Sequence, residues 1–275
     1  MPSTAATDLR FAFGANWRHF LDTVDADRVE HATDSLAALL GSERVRGRSF
    51  LDIGSGSGLS SLAALRLGAS RIRSFDYDAD SVACTAELRR RFGSGASWTV
   101  ERGDALDAAY LRALGTFDVV YSWGVLHHTG AMWKALDNVT ACVAPGGTLC
   151  VALYNDQGRV SRIWTRIKAV YNGAPRFARP LIVLSYMTYR EARSMVGRLW
   201  RGETWFPPTC WREYRTRRGM SVWHDYVDWV GGYPFEVATP AQVHAFYEAR
   251  GFRLAYDVTD TIGGGCNQFV FTRRA

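Results

Sequence analysis

For more than a hundred residues the chain alternates between compact apolar runs and apolar positions at helical spacing. Ser49–Ile53, Arg71–Asp76, Trp98–Arg102, Phe117–Trp123 and Gly147–Tyr154 read as strands, short and rich in aliphatic and aromatic residues. Between them lie Leu59–Leu67, Ala79–Phe92, Ala108–Leu114 and Met132–Val143, where apolar residues recur every three or four positions. Gly68, Gly93, Gly115 and Pro145-Gly146 stop these predicted helices. Ahead of them Asp25–Leu40 reads as a helix, with acids in its first turn and Gly41 at its end. Strand and helix in strict alternation predict an α/β fold, a parallel sheet doubly wound by right-handed crossovers.

The rhythm breaks after Tyr154 and resumes at Thr239, a predicted N-cap followed by Pro240 and the helix Ala241–Arg250. Phe252–Val258 and Asn267–Thr272, joined by the turn Asp260–Gly265, predict a hairpin that makes the last strand antiparallel. The expected organisation is an N-terminal helical segment (1–46), a binding core (47–154), an insert (155–237) and a C-terminal helix and hairpin (238–275) completing a seven-stranded, mostly parallel sheet. An insert after the fifth strand leaves from the carboxyl edge of the sheet, where such folds bind ligands, so it is expected to act as a substrate lid.

Composition narrows the class. Of 275 residues, 47% are hydrophobic and 22% charged, which predicts a packed globular protein. No run approaches the roughly 20 apolar residues that span a bilayer, and the first residues lack an apolar signal core; a cytoplasmic location is expected. Five scattered cysteines without a CxxC pair suggest neither a disulfide framework nor a zinc site, and no metal is expected. The net charge of +6 is unevenly spread. Residues 157–218 hold 14 Lys and Arg against three acids, so this segment carries +11 and the remainder −5. It also holds most of the insert's tryptophans.

The chemistry concentrates at Phe50–Leu59, FLDIGSGSGL. Glycine at Gly54, Gly56 and Gly58 lets a strand-to-helix turn tighten and its backbone approach a ligand. Asp76 ends the next strand at the spacing where an acid takes ribose hydroxyls. A dinucleotide turn would read GxGxxG, but here Leu59 fills the last place. Asp52 would sit awkwardly beside a pyrophosphate, and its charge suits a cation such as the sulfonium of S-adenosylmethionine.

In these residues the chain resembles the class I S-adenosylmethionine-dependent methyltransferases, with a local flavour similar to the ubiquinone-pathway and natural-product O-methyltransferases. LDIGSGSG resembles the family's first motif and Asp76 its ribose-binding acid. Gly103-Asp104-Ala105 resembles the adenine-contacting segment, Phe117–Thr129 the fourth-strand motif and Val143–Leu149 the turn before the fifth strand. The resemblance covers Ser49–Tyr154 and implies a Rossmann-like fold and S-adenosyl-L-methionine as cofactor. It implies cofactor contacts at Asp52, Gly54, Ser55, Gly56, Gly58, Asp76, Tyr77, Asp104, Ala105, Ser122 and Trp123. Trp123 departs from the pattern by its bulk.

Catalysis calls for a base near the transferred methyl. His127 and His128 follow the fourth strand, and imidazole suits removal of a hydroxyl proton. A rival lies in the insert, where His224 and Asp228 stand at i and i+4 of a predicted helix and share a face, as in His/Asp dyads. The expected activity is methyl transfer to a small-molecule hydroxyl, natural-product, sugar- or phosphate-bearing. Alternatives are an RNA, protein, quinone or lipid acceptor, a cofactor-binding protein without transfer, and a nicotinamide oxidoreductase, which Leu59 disfavours. The basic insert leaves peripheral membrane contact through PLIVLSYM (Pro180–Met187) open; nucleic acid is disfavoured as a partner but not excluded.

Overall fold

The structure is a computed structural model describing residues 11, 13–14, 21, 24–93, 97–202, 222–259 and 265–275. It divides into two compact units. One holds Arg162–Pro234 with Phe11, and the other holds the residues from Phe13 to Ser161 and Phe235–Ala275.

The larger unit is built on a seven-stranded sheet in the order β3-β2-β1-β4-β5-β7-β6. Its strands are β1 (Ser49–Ile53), β2 (Arg71–Asp76), β3 (Trp98–Arg102), β4 (Phe117–Trp123), β5 (Val143–Tyr154), β6 (Phe252–Val258) and β7 (Cys266–Arg273). The first five pair in parallel, while β7 runs antiparallel between β5 and β6. The expected hairpin is therefore present, with its last strand on the inside; the greater part of its turn, residues 260–264, lies outside the described residues.

Alternation along each strand divides the core in two. Leu51, Ile53, Val120, Leu149 and Val151 face α5 (Ala108–Ala113), α6 (Met132–Val139) and α10 (Pro240–Glu248). Phe50, Ile72, Val119, Tyr121 and Cys150 face α1 (Ala26–Leu40), α3 (Leu59–Arg66) and α4 (Ala79–Phe92). Both faces are covered, as a parallel sheet requires. The short α2 (Ser42–Val45) turns the chain from α1 into β1.

Thr239 caps its helix as predicted, and Asp25, which the spacing places inside the first helix, caps that one. The Asp25 side chain accepts from the Arg28 N–H at the start of α1. Thr239 and Gln242 close a reciprocal capping box on α10, with Pro240 in its first turn. Most boundaries agree within two residues, and one differs by more. The helix expected over Met132–Val143 ends at Val139, a short 3₁₀ turn follows, and β5 begins at Val143 rather than Gly147. Val143 pairs with Phe117, the register then slips, and pairing resumes at Val119 with Thr148. Pro145-Gly146 thus lies in a bulge within a strand. At Gly147 a Cβ would fall 2.8 Å from the Ala144 carbonyl oxygen and 3.0 Å from that of Asp118, so this close approach needs glycine.

In the smaller unit, α7 (Arg159–Gly173, its first turn belonging to the sheet unit), α8 (Arg179–Trp200) and α9 (Val222–Gly231) gather around Tyr171, Val183, Tyr226 and Val230. Lys168 is fully buried there. Its ammonium lies 4.9 Å from the centre of the Trp229 ring and donates to the Trp229 carbonyl. Burial pushes its pKa down to about 7, partly opposed by the Asp228 carboxylate.

Candidate cofactor and catalytic site

The glycine turn after β1 is fixed from three sides. Gly54, Gly56 and Gly58 have φ of 76°, 53° and 82°, values that only glycine adopts cheaply. The Gly54 and Ser55 N–H groups donate to the Phe75 carbonyl, at 2.8 and 3.1 Å. Ser55 and Thr85 hydroxyls meet at 2.9 Å, and Thr85 Oγ1 donates to the Gly56 carbonyl. A Cβ on Gly54 would fall 2.3 Å from Val125 Cγ1. The turn is thus locked to β2, α4 and the segment after β4.

Asp76 joins this turn to the next. Its Oδ2 accepts from the Gly56 N–H at 2.9 Å and its Oδ1 from the Asp78 N–H at 2.9 Å. A carboxylate has about four acceptor sites, so capacity remains for ligand hydroxyls. Burial raises its pKa, and the backbone donors oppose that. Tyr77 follows, half exposed, with the Arg102 guanidinium 5.6 Å from its ring centre. The Gly103 N–H donates to the Asp76 carbonyl, which brings Asp104 alongside. Asp104 Oδ1 accepts from Leu106 N–H at 2.8 Å, while Ala105 is buried and its carbonyl accepts from Asn138. Two acids at adjacent strand ends, a half-exposed ring and a turn without Cβ atoms suit a nucleoside.

Asp52 sits beside the glycine turn, at the end of β1. Alternation in β1 sends it to the Phe50 side, under α3, where it is buried and its Oδ2 accepts from Ser61 Oγ at 2.6 Å. Ser61 meets Ser74 Oγ at 2.6 Å, and the Trp98 indole donates to Ser74. Burial, with repulsion from Asp76, pushes the Asp52 pKa up to about 7. Near neutrality it is only partly ionised. Its folded pKa lies above the unfolded value, so its contribution to stability is present below about pH 4 and is lost as pH rises to about 7. Asp52→Asn should flatten the pH dependence of unfolding over that window, measured by denaturant titration against the parent. An identical slope in both proteins would refute this.

Ser122 is likewise turned inward and donates to the Ile53 carbonyl at 3.0 Å, tying β4 to β1. Trp123 is about half exposed at the end of β4. Beyond it the 3₁₀ turn Leu126–His128 separates the two histidines. His127 is fully buried, with its ring 4.2 Å from that of Tyr154 and its carbonyl accepting from the Glu236 N–H. His128 is half buried, with ring contacts to Tyr154 at 5.6 Å and Phe13 at 5.1 Å. Glu236 Oε2 accepts from the Met132 N–H at 2.9 Å, and burial raises its pKa. The segment after β4 is thereby pinned at both ends.

Tyr154 and Glu236 escaped the sequence reading. A tyrosine closing the apolar run of β5 was the available signal for the first; Glu236 lay in the stretch without rhythm and gave none. His224 and Asp228 lie on α9 of the smaller unit. The His224 side chain is outside the described residues, and Asp228 is half buried, close enough to Lys168 to raise its pKa. Among the described residues no cluster of His, Cys, Asp or Glu could hold a metal.

Sheet order, glycine turn and strand-end acids together define a Rossmann-like nucleoside site of the methyltransferase kind. Residues 51–149 match the family described as "Methyltransferase domain" and form a class I, S-adenosylmethionine-dependent methyltransferase domain. S-adenosylmethionine is the cofactor of such a domain, and the residues described above fit it. A ribosomal protein L11 methyltransferase from Xanthomonas euvesicatoria pv. vesicatoria is 34% identical over 117 residues, 42% of this chain and 35% of that protein. A tRNA U34 carboxymethyltransferase from Methylococcus capsulatus is 30% identical over 117 residues, with the same coverage. The chain thus spans about a third of the length of the curated relatives it matches. Among solved structures, magnesium protoporphyrin IX methyltransferase from Synechocystis PCC 6803 with bound SAH superposes with a TM-score of 0.54, at 14% identity over 94% of this chain and 93% of that one. An O-methyltransferase family protein from Burkholderia thailandensis gives 0.56 at 13% identity, covering 94% and 60%. These two likenesses show the fold.

The Asp76 assignment has a direct test. Asp76→Ala should weaken binding of S-adenosylhomocysteine (SAH) by about 1–3 kcal/mol, roughly 5- to 150-fold, as loss of a charged hydrogen-bond partner does. Isothermal titration reads this, and an unchanged dissociation constant would rule out the ribose role.

Proposed function

We propose that the protein is an S-adenosylmethionine-dependent methyltransferase acting on a hydroxyl of a small molecule. The observation that carries the acceptor chemistry is the half-buried His128 at the carboxyl end of β4, beside Tyr154 at the end of β5. The Gly54–Gly58 backbone and Ser55 would hold the methionine part of the cofactor, Asp76 and Tyr77 the ribose side, and Asp104 with Ala105 the adenine. Bound S-adenosylmethionine supplies an electrophilic methyl group on a sulfonium. His128 accepts the hydroxyl proton on a ring nitrogen, which makes the oxygen a competent nucleophile. Tyr154 and Phe13 restrict the imidazole's rotation by ring contact and shed water from it. Rigid strand ends keep base and acceptor aligned, a large part of the advantage in a displacement of this kind.

A macromolecular acceptor is the second reading. The names of the two curated relatives point to a ribosomal protein and a tRNA, and residues 157–218 carry +11. Incubation with methyl-labelled S-adenosylmethionine decides between them. Label in hydroxyl-bearing small molecules supports the proposal, label only in RNA or protein replaces it, and no label in any acceptor points to a binding protein.

A further inference from the structure

The helix α8 is apolar on two opposite sides. Ile182, Val183, Tyr186 and Met187 pack into the core of the helical unit. At 100° per residue, Leu181, Leu184, Thr188, Ala192, Val196 and Leu199 fall on the opposite side. All six are exposed, Leu181 at 65% and Leu199 at 60%. No charged residue interrupts this stripe, although α8 contains four arginines and a glutamate. At 1.5 Å per residue its 22 residues extend about 33 Å. The strip itself, from Leu181 to Leu199, runs about 27 Å, and an apolar strip of that length on an outer face marks a docking surface.

The strip has two further features. Large aromatic side chains stand at both ends, Phe177 just before the helix at 81% exposure and Trp200 at its last position at 89%. The surroundings are strongly basic: Gln157–Gly202 holds ten Lys and Arg against the single acid Glu191. Arg159, Arg162, Arg166, Arg176, Arg193 and Arg201 are exposed.

We infer that α8 lies in the headgroup layer of an anionic lipid membrane, with its uncharged strip toward the acyl chains and the arginines at the phosphates. An aliphatic strip ended by aromatics and set among cations is the composition of helices that lie in a bilayer interface. No helix of the described residues is long and apolar enough to cross a membrane, so the contact is peripheral. A second copy of this chain fits poorly, because a two-fold contact would bring two basic faces together. Nucleic acid would use the arginines but leave Leu181, Leu184, Val196 and Leu199 without apolar partners.

Sedimentation with phosphatidylcholine vesicles, with and without phosphatidylglycerol, tests this on the full chain. The protein should pellet with the anionic vesicles and be released by salt. The double variant L181E/L199E alters only exposed positions and should keep its thermal stabilisation by SAH. Its partitioning into anionic vesicles should fall by about tenfold or more. Undiminished binding of that variant would leave only arginine attraction and overturn the inference. So would absence of vesicle binding at low salt, whether or not the protein then shifts RNA or forms a dimer that L181E/L199E abolishes.

Discussion

Replacing His128 by alanine lowers turnover by about 10²–10⁴-fold, the range a positioned general base supplies, while affinity for SAH stays unchanged. The expectation rests on exposure and place. His127 is sealed beneath its neighbours, whereas His128 keeps part of its ring open at the end of β4. Steady-state kinetics beside SAH titration separates the two effects. Tyr154→Phe, which keeps the ring contact, should cost far less. Full activity in His128→Ala would show that proton removal lies elsewhere or is unnecessary.

The second large effect is structural. Gly54→Ala forces a Cβ to within 2.3 Å of Val125 Cγ1 at a φ of 76°. The left-handed conformation costs about 1–2 kcal/mol, and overpacking against Val125 about 1–3 more. Thermal unfolding should fall by roughly 2–4 °C per kcal/mol. In Gly54→Ala/Val125→Ala the packing part should be relieved and the conformational part remain, a non-additivity that a double-mutant cycle reads. Strict additivity would show that Val125 does not hold the turn.

Legibility from sequence followed local signals. The edges of β1 to β4 and of α4 are where the apolar runs and glycine stops predicted them, because Gly93 and the β1 turn act within a few residues of themselves. The start of β5 was misplaced because Pro145-Gly146 looks the same in a bulge as at a helix stop; only the pairing of Val143 with Phe117 tells them apart. Asp52 was recognised as unusual, but period-two alternation carried it under α3, beside Ser61 and Ser74. Which of His127 and His128 is buried is set by the 3₁₀ turn. Tyr154 gains its neighbours from chain far away in sequence, which no local pattern encodes.

The central place of β7 has a consequence for biosynthesis. Its two neighbours are β5 and β6, and β5 leaves the ribosome long before β7 does. Through synthesis of residues 155–265, the outer rim of Thr148–Tyr154 stays bare, an apolar template for any nearby strand. The nascent chain is then at its most vulnerable to aggregation, and chaperone dependence should track the delay between those two strands.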